Sequence, residues 1–132
     1  MHPNEALARR ELEVLEAGDM DALGELYTED CVVHYPGRNP LSGDHPGFPA
    51  LIGKIRPLLG DGGSVRRVLH DVFGSDDHAL QLLTVTGEGR GRSHTWEAVV
   101  VMHVRDGKIS EVWISVRDPY ALDEFLNSLA EG

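Results

Sequence analysis

The sequence predicts an α+β fold in which helices cover one face of a curved antiparallel sheet. Three observations support this prediction. Helical patterns dominate the N-terminal part, four long strand patterns follow, and another helical pattern comes last. The strongest local signal is Asp106-Gly107, a dipeptide typical of tight hairpins, between β-branched runs at residues 94–105 and 108–116. The first run is apolar at successive positions, so both of its faces should be covered.

The first helix carries the most unusual residue of the N-terminal region. Asn4 is a suitable N-cap for a helix over residues 5–17, and Gly18 ends it. Glu11 falls on the apolar stripe of this helix, where a carboxylate is rare. Either Glu11 pairs with an arginine at a wet edge of the stripe, or it points into a pocket beneath the helix.

A second helix and a first strand follow. Asp19 is the expected N-cap of a short helix over residues 20–27, in which Tyr27 faces inward. The alternation of residues 31–35 predicts a strand that ends at Pro36. Turn-forming residues after that proline predict an ordered loop.

The remaining elements place one more helix before the long strands and one after them. Helical spacing predicts a helix over residues 46–58. Strands over residues 65–73 and 79–86 precede the hairpin, and the glycine-rich segment over 87–91 is interpreted as the link that leads into it. A terminal helix over residues 119–130 closes the fold.

Composition and charge indicate one ordinary globular domain over residues 1–132, with 41% hydrophobic and 26% charged residues. The net charge of −10 argues against binding to nucleic acid or to an anionic membrane surface. Cys31 is the only cysteine, so neither an intrachain disulfide nor a thiolate metal site is expected. No apolar run has membrane-spanning length, and residues 1–4 are unlike a signal peptide, so a cytoplasmic location is expected.

Four segments occur in an order and at a spacing similar to those of a known superfamily. They are AGDMDALGELYTEDCVVHYPG (residues 17–37), NPLSG (39–43), DGKISEVW (106–113) and DPYALDEF (118–125). Together with the element order they resemble the nuclear transport factor 2-like (NTF2-like) superfamily, specifically its SnoaL-like proteins, which are polyketide cyclase-like and related to ketosteroid isomerases. The resemblance implies a cone, in which the sheet wraps around the first and third helices and leaves a ligand-sized cavity at the open end.

The resemblance also shows which known catalytic residues this chain lacks. The proton-shuttling aspartate of the ketosteroid isomerases falls on Tyr35, their second pocket aspartate on Val100 and their oxyanion tyrosine on Glu11. The aspartate that the polyketide cyclases use after the tryptophan of the last strand falls on Ile114. Neither steroid isomerisation nor the aldol-cyclase mechanism is therefore carried over to this chain.

The polar residues near the predicted cavity are the candidates for catalysis. Glu11 in an apolar cavity would have a raised pKa suited to proton transfer. Imidazole titrates near neutral pH, so His34 is a possible general acid or base, and Tyr35 is a possible donor to an oxyanion. Strand alternation points Tyr35 inward and leaves His34 to bond to backbone on the outer face, but a one-residue bulge before Pro36 would exchange them.

A mostly apolar wall is expected around these residues, and it suits a small hydrophobic ligand held by one or two hydrogen bonds. Trp96 and Met102 serve equally well as core residues. The predicted ligand contacts are Tyr27, Leu82, Thr84, Trp96, Val100, Met102, Val112 and Ile114.

Two classes of function fit this pattern. One is a cofactor-independent enzyme, an isomerase, cyclase or lyase that performs acid–base chemistry on a hydrophobic substrate. The other is a non-catalytic protein that binds a small molecule in the same cavity. No metal is expected, because the histidines do not form the close pairs typical of metal sites. A homodimer is expected in either case, because apolar residues are predicted on the outer sheet face: Val99, Val101, Trp113, Leu83 and Val85.

Overall fold

A computed structural model describes residues 1–131, which form four helices and one six-stranded sheet. The helices are α1 (Pro3–Ala17), α2 (Met20–Gly24), α3 (Phe48–Leu59) and α4 (Pro119–Glu131). The strands are β1 (Tyr27–Tyr35), β2 (Gly43–His45), β3 (Ser64–Gly74), β4 (His78–Gly89), β5 (Arg92–Arg105) and β6 (Lys108–Val116). The α+β prediction is confirmed. None of the helices within residues 1–131 is long and apolar enough to cross a membrane.

The sheet has the strand order β2-β1-β6-β5-β4-β3. Strands β3 to β6 form the predicted antiparallel meander, whereas β1 pairs with β6 in parallel. The short strand β2 was predicted as loop, because its three residues carry no periodic pattern. Tyr27 begins β1 rather than ending a helix, and a register shift separates its pairing from that of Val32.

The side-chain alternation of β4 is opposite to the prediction. Leu82 and Thr84 lie on the outer face, while Gln81, Leu83 and Val85 are buried under the helices. Both parities of this strand are largely apolar, so its alternation alone does not show which face is buried. The same correction removes Leu83 and Val85 from the expected dimer face.

Hydrogen bonds at the N-terminus of α1 attach this helix to the turn between β3 and β4. His2, not Asn4, is the N-cap, and its Nδ1 accepts a hydrogen bond from the Asn4 backbone N–H at 3.0 Å. The Asn4 side chain instead donates to the carbonyl oxygens of Ser75 and Asp76 in the β3–β4 turn, at 2.7 and 3.0 Å. This attachment holds α1 across β3 and β4, so that its buried face points at the sheet.

A close approach between β4 and the end of α3 requires glycine. The predicted link over residues 87–91 belongs largely to β4, and only Arg90 and Gly91 form the turn, with φ of 52° and 76°. A Cβ added at Gly89 would lie 2.5 Å from the carbonyl oxygen of Leu59 and 2.9 Å from its Cα. The strand therefore touches the helix backbone to backbone, which closes this side of the cone.

Replacing Gly89 by alanine should therefore separate β4 from α3. We expect Gly89→Ala to lower the free energy of unfolding in urea by about 1–3 kcal/mol, as overpacking does elsewhere. Gly53→Ala is the matched control, because Gly53 lies in α3 with nothing within 4 Å of an added Cβ. That change should stabilise the helix by up to about 1 kcal/mol. Equal effects at the two glycines would contradict the close packing.

Candidate functional site

A cavity lies between the inner face of the sheet and the helices α1, α3 and α4. Its volume is about 60 Å³, well below the ~300–1,000 Å³ of pockets that enclose drug-sized ligands. Its polar lining residues within the described chain are Glu11, Tyr35, Arg67 and Gln81. Apolar side chains form the rest of the wall, among them Leu12, Phe48, Ile55, Val85, Trp96 and Phe125.

Glu11 is the buried carboxyl group of this cavity, with 1% of its surface exposed. The Tyr27 hydroxyl donates to its Oε2 at 2.7 Å, and Gln81 Nε2 donates to its Oε1 at 3.1 Å. Gln81 Nε2 also donates to the carbonyl oxygen of Ala8 at 2.8 Å, which fixes the amide against α1. Each carboxyl oxygen therefore has a partner, and the group is held in one orientation.

Burial raises the pKa of Glu11 above its ordinary value of 4.5, although the hydrogen bonds from Tyr27 and Gln81 and the charge of Arg67 oppose the shift. Burial, followed by the nearby charge of Glu11, raises the pKa of Tyr27 well above its ordinary value, so that hydroxyl stays protonated as a donor. A raised pKa makes the ionised carboxylate a stronger base, and buried carboxyl groups of this kind serve as general acids or bases in enzymes.

Tyr35 offers a free hydroxyl donor to the cavity. Its side chain lines the cavity, and burial raises the pKa of its hydroxyl to about 12. Among residues 1–131 no protein group forms a hydrogen bond with this hydroxyl, in contrast to that of Tyr27. Tyr35 is therefore placed to donate to an oxygen atom of a bound molecule.

His34 lies on the opposite face of the sheet from the cavity, so its predicted role there has no geometric support. Its ring nitrogens contact Asp44 at 2.6 Å and Glu111 at 2.5 Å, and the ring stacks on Trp113. Hydrogen bonds to Glu111 and Asp44 raise the pKa of His34, which favours the imidazolium form. The bulge considered before Pro36 does not occur, because the pairing of Val32 to His34 with β6 is regular.

The predicted ligand contacts fall into three groups. The residues that line the cavity are Trp96, Val100 and Ile114. Those that are buried in the core without lining it are Tyr27, Met102 and Val112. The two on the outer face, as a consequence of the inverted β4 parity, are Leu82 and Thr84.

Two polar residues of the site, Gln81 and Arg67, were missed in the sequence. A signal for Gln81 was present, because it alternates with Ala79, Leu83 and Val85 on one face of β4. Arg67 shares the inward parity of β3 and pairs with Val85. Neither residue belongs to a recognised motif, and only the pairing of the strands places them beside Glu11.

The arrangement is suited to acid–base chemistry in an apolar enclosure. It combines one oriented carboxyl group, one free hydroxyl donor and one guanidinium group. Within residues 1–131 no three His, Cys, Asp or Glu side chains are grouped so that they could hold a metal ion.

The family model for the SnoaL-like domain matches residues 8–112. Among solved structures, Bal32a from a soil-derived mobile gene cassette is 31% identical, with 94% of this chain and 96% of that chain covered and a TM-score of 0.84. TerC, co-crystallised with polyporic acid, is 18% identical, with 95% and 98% covered and a TM-score of 0.81. An NTF2-like protein of unknown function from Burkholderia pseudomallei is 19% identical, with 96% and 98% covered and a TM-score of 0.80. No curated protein matches the sequence.

The raised pKa of Glu11 predicts a specific pH dependence of stability. The folded state binds this proton more tightly than the unfolded state, so the wild-type protein loses stability as pH rises from 4.5 to the folded-state pKa. Glu11→Gln cannot lose that proton. The free energy of unfolding of the variant relative to wild type should therefore increase across this range, by about 1.4 kcal/mol for each unit of pKa shift.

Urea unfolding at a series of pH values checks this prediction. The substitution also alters the hydrogen bond from Gln81, which changes the free energy of unfolding by the same amount at every pH. The informative quantity is therefore the slope of the free-energy difference against pH. Glu13→Gln, at an exposed position of the same helix, reports any general effect of removing one carboxylate from α1. A difference between Glu11→Gln and wild type that stays constant from acid to neutral pH would contradict the raised pKa.

Proposed function

We propose that this chain, which belongs to the SnoaL-like family of the NTF2-like superfamily, is an acid–base enzyme acting on a small hydrophobic molecule. The reaction class is isomerisation, cyclisation or elimination, performed by the side chains of the cavity. The observation that carries the proposal is the carboxyl group of Glu11, which is 1% exposed, faces an apolar cavity and has both oxygens held by donors.

Each polar residue has a defined role in the proposed reaction. Ionised Glu11 removes a proton from a carbon atom next to a carbonyl group, and the electron pair of that C–H bond moves towards the carbonyl oxygen. The Tyr35 hydroxyl donates a hydrogen bond to this oxygen as its negative charge develops. Glu11 then returns the proton to another carbon atom, which completes an isomerisation, while Tyr27 and Gln81 keep the carboxyl group oriented.

The relatives support a small organic molecule as the ligand. TerC, of the same fold, was co-crystallised with polyporic acid. At 18% identity that likeness concerns the fold, and the side chains of this chain's own cavity decide which substrate it accepts.

The experiment uses deuterium exchange, which requires proton abstraction and no knowledge of the final product. Small ketones and enones are incubated with the protein in D₂O, and NMR follows loss of signal from the carbon next to the carbonyl group. We expect exchange above the buffer rate, no such enhancement with Glu11→Gln, and a loss of about 10²–10³-fold with Tyr35→Phe.

Three substitutions serve as controls for this assay. Glu13→Gln and Tyr120→Phe make the same chemical changes at exposed positions, and His34→Ala tests the residue on the outer face. All three should retain the wild-type exchange rate. Binding of the ketones without exchange would instead favour the alternative, a non-catalytic small-molecule-binding protein.

We also propose that the outer sheet face forms a homodimer. After the correction of β4, the face retains Val99 and Val101, and Trp113 is 37% exposed despite its size. Exposed apolar surface of this kind commonly marks an interface.

Light scattering tests the proposed dimer. We expect the mass of a dimer for wild type and that of a monomer for Trp113→Glu, because the substitution would place a charge in the interface. Tyr120→Glu is the matched control, since Tyr120 is 84% exposed and lies on α4. A monomeric wild type would contradict the proposal.

A further inference from the structure

The cavity adjoins a second, wider hollow that we term the vestibule. The vestibule lies beside the C-terminal ends of α1 and α3, the turn over residues 60–63 and the start of β3, and it measures about 810 Å³. Five residues line both the cavity and the vestibule: Leu15, Ile55, Leu59, Val65 and Arg67. A ligand that contacts Glu11 and exceeds the small cavity therefore extends past these residues into the vestibule.

The vestibule carries an excess of positive charge in an acidic chain. Three arginines line it, Arg56, Arg67 and Arg90, against the single carboxylate of Asp61. The chain as a whole has a net charge of −10. A cleft whose charge is opposite to that of its surroundings attracts ligands of the opposite sign, in this case anions.

The three arginines differ in how much of their hydrogen-bonding capacity is already used. Arg90 donates from Nε and Nη2 to the carbonyl oxygens of Leu58 and Pro57, both at 2.8 Å, so it contributes charge from a fixed position. Arg56 is exposed, and no carboxylate among residues 1–131 forms an ion pair with it. Of the three, Arg67 alone also lines the cavity.

Arg67 joins the vestibule to the catalytic group. Its side chain is 13% exposed, and Nη1 donates to Glu16 Oε1 at 3.1 Å. Within residues 1–131 its Nε and Nη2 form no hydrogen bond. A guanidinium group with two free donors on one side matches the two oxygens of a carboxylate.

We propose that the natural ligand is an amphipathic carboxylic acid, whose apolar body occupies the cavity while its carboxylate binds Arg67 in the vestibule. This inference rests on the proposed function, because it names the class of molecule that the Glu11 site accepts. Arg67 is the specificity-determining residue, and Arg56 and Arg90 add long-range attraction. Glu16 competes with the ligand for Arg67, so it weakens the binding of anions.

The test compares octanoate with 1-octanol, which have similar apolar bodies and differ in charge. Tryptophan fluorescence follows binding, since Trp96 lines the cavity. Wild type should bind octanoate about tenfold more tightly than octanol, the difference expected for one hydrogen-bonded charge pair. Added salt should weaken octanoate binding and leave octanol binding unchanged.

Three variants separate anion binding from a purely structural role of the Arg67–Glu16 pair. Arg67→Met should abolish the preference for octanoate, whereas Glu16→Gln should strengthen octanoate binding because it removes a negative charge beside the guanidinium group. Arg66→Met is the matched control, since Arg66 is the neighbouring residue on β3, has a 71% exposed side chain and pairs with Glu88 instead. If the pair only fastens β3 to α1, Arg67→Met and Glu16→Gln will weaken both ligands alike, which would overturn the proposal.

The remaining outcomes also decide the question. Equal affinity of wild type for the two ligands, or no binding of either at millimolar concentration, would overturn the carboxylate class. Octanoate preference without proton exchange would refute the proposed function alone, whereas exchange of uncharged ketones without octanoate preference would refute this inference alone.

Discussion

The burial of one carboxyl group, that of Glu11, constrains much of this structure. A buried polar group destabilises a fold unless it is hydrogen-bonded, so its partners must be placed as precisely as the group itself. Those partners come from different elements: Tyr27 begins β1, and Gln81 lies in the first half of β4. Meeting at Glu11, they join α1 to both strands. The inward parity of β4 and the early start of β1 are both consistent with this requirement.

A functional role explains a carboxyl group in an apolar core better than a contribution to stability does. Buried polar clusters are often no more stabilising than well-packed apolar residues of the same volume. Here the hydrogen bonding within the cavity is incomplete. Tyr27 and Gln81 donate to the carboxyl oxygens of Glu11, whereas the Tyr35 hydroxyl has no acceptor among the described residues of the same cavity. A cluster that served stability alone would be expected to satisfy its own members.

The errors of prediction from this sequence concern two residues of the same cluster, Gln81 and Tyr27. Long periodic elements were predicted correctly to within a few residues, including the hairpin at Asp106-Gly107 and the terminal helix. The prediction failed for β4, where burying Gln81 contradicts the rule that polar side chains face water. It failed at Tyr27 because local helical propensity extended across a strand start that only pairing with β6 determines. Departures from local rules are expected where function outweighs them.

Ligand binding in the cavity and the protonation of Glu11 are thermodynamically linked, because both depend on how much solvent reaches the carboxyl group. Burial already raises the pKa of Glu11, because little solvent reaches its carboxyl group. An apolar molecule in the cavity would exclude the remaining solvent from the ionised form and would raise the pKa of Glu11 further. By reciprocity, the protein with Glu11 protonated would bind such a molecule more tightly than the protein with Glu11 ionised. The charge of Arg67 lowers the pKa of Glu11. Arg67 therefore limits how far ligand binding raises that pKa and depletes the ionised carboxylate.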